Sequence, residues 1–282
     1  SGVSDGSTTN NATIALTFTT SESTSDLIAS DITVGNGALS SFTGSGTAYT
    51  ATFTPTGQGA CTIDVAADKF TDAASNDNSA SDQFNWTFDS VAPTVTNVTS
   101  TKANGTYSID EVIGITITFN EVVNVTGTPQ ITLETGTSDA VVDYSSGKGT
   151  NTLTFNYTVA AGHTSADLDY VATSSLAFNS GTIKDAGLNA ATLTLPALGA
   201  AGSLAVNKAI VIDATPPTVA ITSTTSGVSD GSTTSDATIA LTFTTSESTS
   251  NFIVGDITPG NGALTDFTGS GTAYTATFTP SG

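Results

Sequence analysis

Arginine and methionine are absent from the 282 residues, and cysteine, histidine and tryptophan occur once each, as Cys61, His163 and Trp86. A single cysteine forms no internal disulfide, and one cysteine with one histidine offers no zinc cluster. Basic residues are limited to five lysines against 25 acidic residues, which sets the formal net charge at −20. Such a charge opposes binding to a phosphate backbone or an anionic lipid surface, so nucleic acid is excluded as a partner class. No run approaches 18 apolar residues and no charged-then-apolar leader occurs. The segment is therefore expected to hold neither a membrane span nor a signal peptide. The lack of an initiator methionine fits a piece of a longer chain.

What is abundant is serine and threonine, 91 residues together. This is not low complexity, because the apolar residues alternate. In Ile14-Ala15-Leu16-Thr17-Phe18-Thr19 the Ile, Leu and Phe share one face, and Ile113, Ile115, Ile117 and Phe119 do the same. Period-two patterning rich in Thr, Val, Ile and Phe predicts half-buried strands, and clusters such as Gly35-Asn36-Gly37 and Gly44-Ser45-Gly46 supply the turns between them. No amphipathic helix stands out. The pattern predicts an all-β chain.

Internal repetition dominates. Residues 226–282 repeat residues 1–57 at an offset of 225, with 47 of 57 positions identical. Between the copies lies a divergent unit with the same landmarks. One is a linker, Asp89-Ser-Val-Ala-Pro93-Thr-Val95 and Asp213-Ala-Thr-Pro-Pro217-Thr-Val219. A second follows the first apolar strand: Thr17-Phe18-Thr-Thr-Ser-Glu22, Thr118-Phe119-Asn-Glu121 and Thr242-Phe243-Thr-Thr-Ser-Glu247. The third is a late loop, Asp72-Ala-Ala-Ser-Asn76 and Asp185-Ala-Gly-Leu-Asn189.

In the first unit, strands are expected near 12–20, 31–34, 39–43, 47–54, 60–66 and 83–90, and a leading strand is supplied in the third unit by Thr218–Ser223. Seven short strands in roughly 100 residues suggest an Ig-like sandwich. Trp86 falls in the last strand, outside the Cys…Trp…Cys pattern of antibody domains. Three domains are expected: 1–91, its first strand outside the sequence window; 92–215, divergent; and 216–282, the beginning of a third.

At these landmarks the chain resembles the bacterial Ig-like repeats of very large secreted adhesins and other cell-surface proteins. The resemblance covers nearly the whole length and rests on the D-x-x-x-P-T-V linker, the T-F-x-E element and the D-x-A-G-N-like loop. Ser75 and Leu188 stand beside the Asn where the family usually ends in Gly-Asn. It implies tandem Ig-like Greek-key β-sandwich domains in an elongated array. It also implies an extracellular spacer role, rigidified in several cases by Ca2+ between domains.

Sandwich topology adds its own argument. The domain entrance, the loop after the second strand and the loop before the last strand share one pole. Asp89, Glu121 and Asp185 are therefore expected to converge at one junction, where like charges repel unless a cation joins them. Hard oxygen donors select Ca2+. The same construction groups Asp213 with Glu247, and Glu22 with Asp72. Asp5, Asp230, Asp110 and Glu111 belong to loops at the opposite pole. All of these acidic residues also suit turns, which Asp and Asn close through their own backbones.

Enzyme activity is not expected. His163 occurs in one unit only, within Ala-Ala-Gly-His-Thr-Ser, and no nucleophile elbow or spaced triad accompanies it. Cys61 reads as a buried thiol. Thr-x-Thr stretches such as Thr50-Ala-Thr-Phe-Thr54 read as the outward face of soluble strands. Six Asn-x-Ser/Thr sequons, headed by Asn11, Asn85, Asn97, Asn104, Asn124 and Asn156, are expected by chance in so Thr-rich a chain. The expected function is a structural extender of an adhesin stalk or surface fibre, with Ca2+ at its junctions. Its expected partners are neighbouring repeats or identical chains. The alternatives are a filament subunit assembled by intermolecular strand exchange, and a glycan- or ligand-binding module, for which one tryptophan offers little.

Overall fold

The computed structural model describes residues 3–281, so the outermost residues of the 1–91 and 216–282 segments lie outside it. The chain is all-β, with brief helical turns, and it divides into two compact units, Ser1–Ala214 and Thr215–Gly282.

The first part of the larger unit contains β1 (Thr8–Thr9), β2 (Ile14–Thr24), β3 (Ile32–Gly35), β4 (Gly37–Pro55), β5 (Gly59–Val65) and β6 (Phe84–Phe88). One sheet runs β1-β6-β5-β3 and the other is the pair β2-β4. Their inner faces meet in one core: Ile14 and Phe53 come from the pair, and Ile32, Cys61, Ile63 and Trp86 from the four-stranded sheet. This is the sandwich arrangement, with alternate residues inward and Thr outward. The Trp86 ring meets Phe53 edge-on with centroids 4.7 Å apart. Expected strands 39–43 and 47–54 both lie in the 19-residue β4 run. Ser40 Oγ nevertheless reaches the Thr52 carbonyl at 3.4 Å and Phe42 stacks on Tyr49. Twelve extended residues would span roughly 40 Å, so the run folds back on itself. The bend uses positive φ at Ser41, Gly44 and Gly46. The two-residue β1, parallel to β6, is too short to leave a periodic signal.

The second part contains β7 (Val95–Ser100), β8 (Gly105–Tyr107), β9 (Val112–Thr126), β10 (Gln130–Leu133), β11 (Ala140–Ser146), β12 (Thr150–Thr158), β13 (Thr164–Ser165), β14 (Leu176–Ala177) and β15 (Thr182–Lys184). A single helical turn, α1 (Leu204–Asn207), and β16 (Ile210–Asp213) complete it. The strands β14-β10-β11-β12-β9-β15 form one path, with β7 also beside β9, and β13-β16-β8 form another sheet. The core contains Val98, Ile113, Ile115, Ile117, Phe119, Leu153 and Phe155, all essentially inaccessible. The alternation read at 113–119 is thus the inward face of β9.

In the smaller unit, β17 (Val219–Ser223) pairs with β18 (Ile239–Thr249), which pairs with β19 (Gly262–Pro280). Here β17 is the leading strand expected at Thr218–Ser223. Phe243, Tyr274 and Ala276 centre a separate small core.

One expectation needs correction. The topology argument puts Glu121 in a loop after the second strand, yet it lies inside β9, which continues to Thr126. The β9–β12 register shifts between the Thr118–Thr152 and Val123–Thr150 pairs. The strand therefore bulges at Glu121 and then resumes, pairing with β15 through Asn124–Thr126. The same shift follows Thr19 in β2 and Thr244 in β18. The stretch from Thr-Phe to the following Glu is thus the point at which a continuous strand bends and aims an acidic side chain out of the ladder. That Glu is Glu121, two residues after Phe119, but Glu22 and Glu247 stand four after Phe18 and Phe243.

Candidate metal centre

The linker after β6 is held from several sides. The Asp89 N–H donates to the Thr9 carbonyl at 3.0 Å, and the Asp89 carbonyl accepts from Asn189 Nδ2 at 2.9 Å. Farther along, the Thr94 N–H donates to Asn120 Oδ1 at 2.7 Å and the Thr192 N–H to the Pro93 carbonyl at 2.8 Å. The late loop also touches the first core's side: the Asn10 N–H donates to the Gly187 carbonyl, and Asn10 Nδ2 donates to Asn189 Oδ1.

The late loop shapes itself. Asp185 Oδ1 accepts the Asn189 N–H and Oδ2 accepts Asn189 Nδ2, both at 2.8 Å. Asp72 and Asn76 repeat this pair of contacts in the first part. Leu188 and Ser75, the two departures from Gly-Asn, hold φ of 71° and 66°, so the loop keeps a left-handed residue even without glycine. Gly187 has a different role. A Cβ there would stand 2.7 Å from the Asp89 carbonyl oxygen, which makes glycine the residue that lets loop and linker touch.

On this framework one carboxylate oxygen each from Asp89, Glu121 and Asp185 lies within 4.8 Å of the others. Asp185 is buried, and Asp89 and Glu121 are half-buried. At that spacing two full charges repel by roughly 3 kcal/mol at an effective dielectric constant near 20. Burial pushes the Glu121 carboxyl up, and the negative charges of Asp185 and Asp89 push it further in the same direction. The residues present fit a hard cation. Each oxygen that accepts a protein N–H keeps a second lone pair, so the donors that orient the carboxylates need not leave for an ion to be held.

The other sequence candidates are distributed differently. Glu22 and Asp72 border one open groove of the first part. The Asp72 carboxylate is committed to its own turn, whose hydrogen bonds from Asn76 and Ala74 hold it below the usual carboxylate range. Among the described residues, neither joins a three-ligand acidic group. Asp213 ends β16 in the larger unit, and Glu247 sits at the β18 bulge of the smaller one. Asp5 accepts the Asn85 N–H and Glu111 the Ser108 N–H, so these two brace turns. His163 Nδ1 pairs with the Tyr157 hydroxyl at 2.8 Å, beneath a stacked ring. Cys61 is buried, and burial pushes its thiol up, away from reactive thiolate. What sequence reasoning missed was the bracing of the linker by Asn10, Asn120, Gly187 and Asn189; only the recurring Asn of the late loop gave a signal.

A family model described as Bacterial Ig-like domain matches residues 2–88 and 213–282, more than half of the chain. No match was found among curated proteins or among solved structures.

Proposed function

Because the chain belongs to the bacterial Ig-like domain family, a structural and non-catalytic one, we propose that it is a spacer segment of a long extracellular repeat protein, stiffened by Ca2+ where its domains join. The observation that carries this reading is the meeting of Asp89, Glu121 and Asp185 beside the linker. Asp89 belongs to the linker, Glu121 to the β9 bulge and Asp185 to the late loop, so one ion would tie three segments of chain. Bound there, Ca2+ would accept six to eight oxygen ligands in a flexible arrangement and cancel the repulsion among the carboxylates. Pro93 fixes φ within the linker and reduces the freedom that remains to be lost. The acidic, Thr-faced exterior and the tandem repetition suit an extended surface protein.

The test is calorimetric titration of the chelator-washed full chain with CaCl2, repeated on Asp185→Asn. The parent is expected to bind Ca2+ saturably, and the variant at least about tenfold more weakly, as loss of one charged ligand predicts. Equal binding by the two proteins, or none by the parent, would remove the ion from the account.

A further inference from the structure

Asn10, just after β1, directs its hydrogen bonds out of the first sandwich. Its backbone N–H donates to the Gly187 carbonyl at 3.1 Å and its side-chain amide to Asn189 Oδ1 at 3.0 Å, both in the late loop of the second sandwich. The near-identical copy has Ser235 at this position. The strands that follow, β2 and β18, form over the same eleven residues in either case, so the amide is not needed for them.

Asn189 has two tasks. Its backbone N–H and Nδ2 close its own loop on Asp185, as those of Asn76 do on Asp72. Beyond that shared closure, Nδ2 donates to the Asp89 carbonyl at 2.9 Å and Oδ1 accepts from Asn10. Between these contacts stands Gly187, where a Cβ would lie 2.7 Å from the Asp89 carbonyl oxygen. Its φ lies outside the left-handed region, so close approach, not backbone conformation, calls for glycine. The first sandwich's late loop has Ala74 at the equivalent place.

The surface that receives the loop is equally fixed. The Asp89 N–H donates to the Thr9 carbonyl at 3.0 Å. Gln58 holds Ser90 with both ends of its amide, Nε2 donating to Oγ at 2.6 Å and Oε1 accepting the N–H at 2.9 Å. The Asp89 carbonyl is thus presented by the first sandwich itself.

We propose that Asn10, Gly187 and Asn189 form a docking interface, through which the late loop of one sandwich recognises the strand end and linker of the sandwich before it. The contact exists only while both sides are folded, so each sandwich adds to the stability of the other. This coupling needs no ion and goes beyond the calcium reading.

Urea unfolding of the full chain in chelator, followed by the fluorescence of Trp86, reads the coupling from the first core, where the only tryptophan lies. Two variants borrow residues that the molecule already uses at equivalent positions, Asn10→Ser and Gly187→Ala. The second is the more telling, because it alters the second sandwich and is read in the first. Each is expected to lower the Trp86 midpoint by about 0.3–1 M, the share of one or two hydrogen bonds. The double variant is expected to lose less than the sum, since either change opens the same contact. A Trp86 midpoint unmoved by Gly187→Ala would overturn the proposal, as would fully additive losses. With calcium absent throughout, failure here leaves the ion reading standing, and failure of the ion reading leaves this result standing.

Discussion

Glu121 owes its character to three facts at the scale of a single side chain: partial burial, Asp185 and Asp89. All three raise its proton affinity in the folded state. The folded chain therefore binds more protons than the unfolded one between the ordinary glutamate pKa and the raised one, and stability falls as pH climbs through that window. Without a cation, Glu121→Gln removes the penalty. The variant is expected to match its parent on the acidic side of the window and to exceed it above. Denaturant midpoints measured in chelator between about pH 3 and pH 8 check this. Parallel curves would mean that the carboxylates do not sense one another. Leu188 and Ser75 show a different economy, since both take the left-handed conformation that glycine adopts freely. Their loops close through Asp and Asn hydrogen bonds, which tolerate the substitution.

At the scale of elements, alternation and turn residues made most strands legible. The strands expected at 12–20 and at Val112–Phe119 were visible as patterns because each has one face in a core, and the leading strand over Thr218–Ser223 was visible although its side chains stay largely exposed. What remained hidden has physical causes. The pairs Thr8–Thr9 and Thr164–Ser165 span a single period of alternation, too little for a pattern to repeat. Continuation of β9 past Glu121 was obscured because a bulge interrupts the period without ending the strand. The fold-back within Gly37–Pro55 depends on close approach: a Cβ on Gly37 would fall 2.0 Å from the Phe53 ring, and one on Gly262 2.4 Å from the Phe278 ring. Phe53 is fully buried. Gly37→Ala is expected to destabilise the first core by about 1–3 kcal/mol, the usual cost of overpacking. Urea unfolding followed by Trp86 fluorescence reports it, since Trp86 lies against Phe53. An unchanged midpoint would show that the hairpin is looser than its packing implies.

For the whole molecule, repetition is the strongest sequence signal, and it predicts the convergence of Asp89, Glu121 and Asp185. It does so because linker, bulge and late loop recur as a set. The same inference pairs Glu22 with Asp72, which among the described residues join no three-ligand acidic group, although Asp72 closes its loop through the same bonds to Asn76 that Asp185 makes to Asn189. Since the two loops close alike, whether such an aspartate joins a shared site depends on which other carboxylates the fold brings beside it, as Asp89 and Glu121 stand beside Asp185. The net charge of −20 thus has a local meaning where Asp185 is buried beside two other carboxylates, and a merely solvating one over most of the surface.

The central claim is that an ion at these three carboxylates stiffens the linker. Amide hydrogen exchange of the full chain, with and without Ca2+, tests it most directly at Val91, Thr94, Asn189 and Thr192, whose N–H groups donate within the linker and its braces. The account predicts that saturating Ca2+ slows exchange at these amides by about tenfold or more, and that Asp185→Asn abolishes the slowing. Exchange that is indifferent to Ca2+ would contradict it.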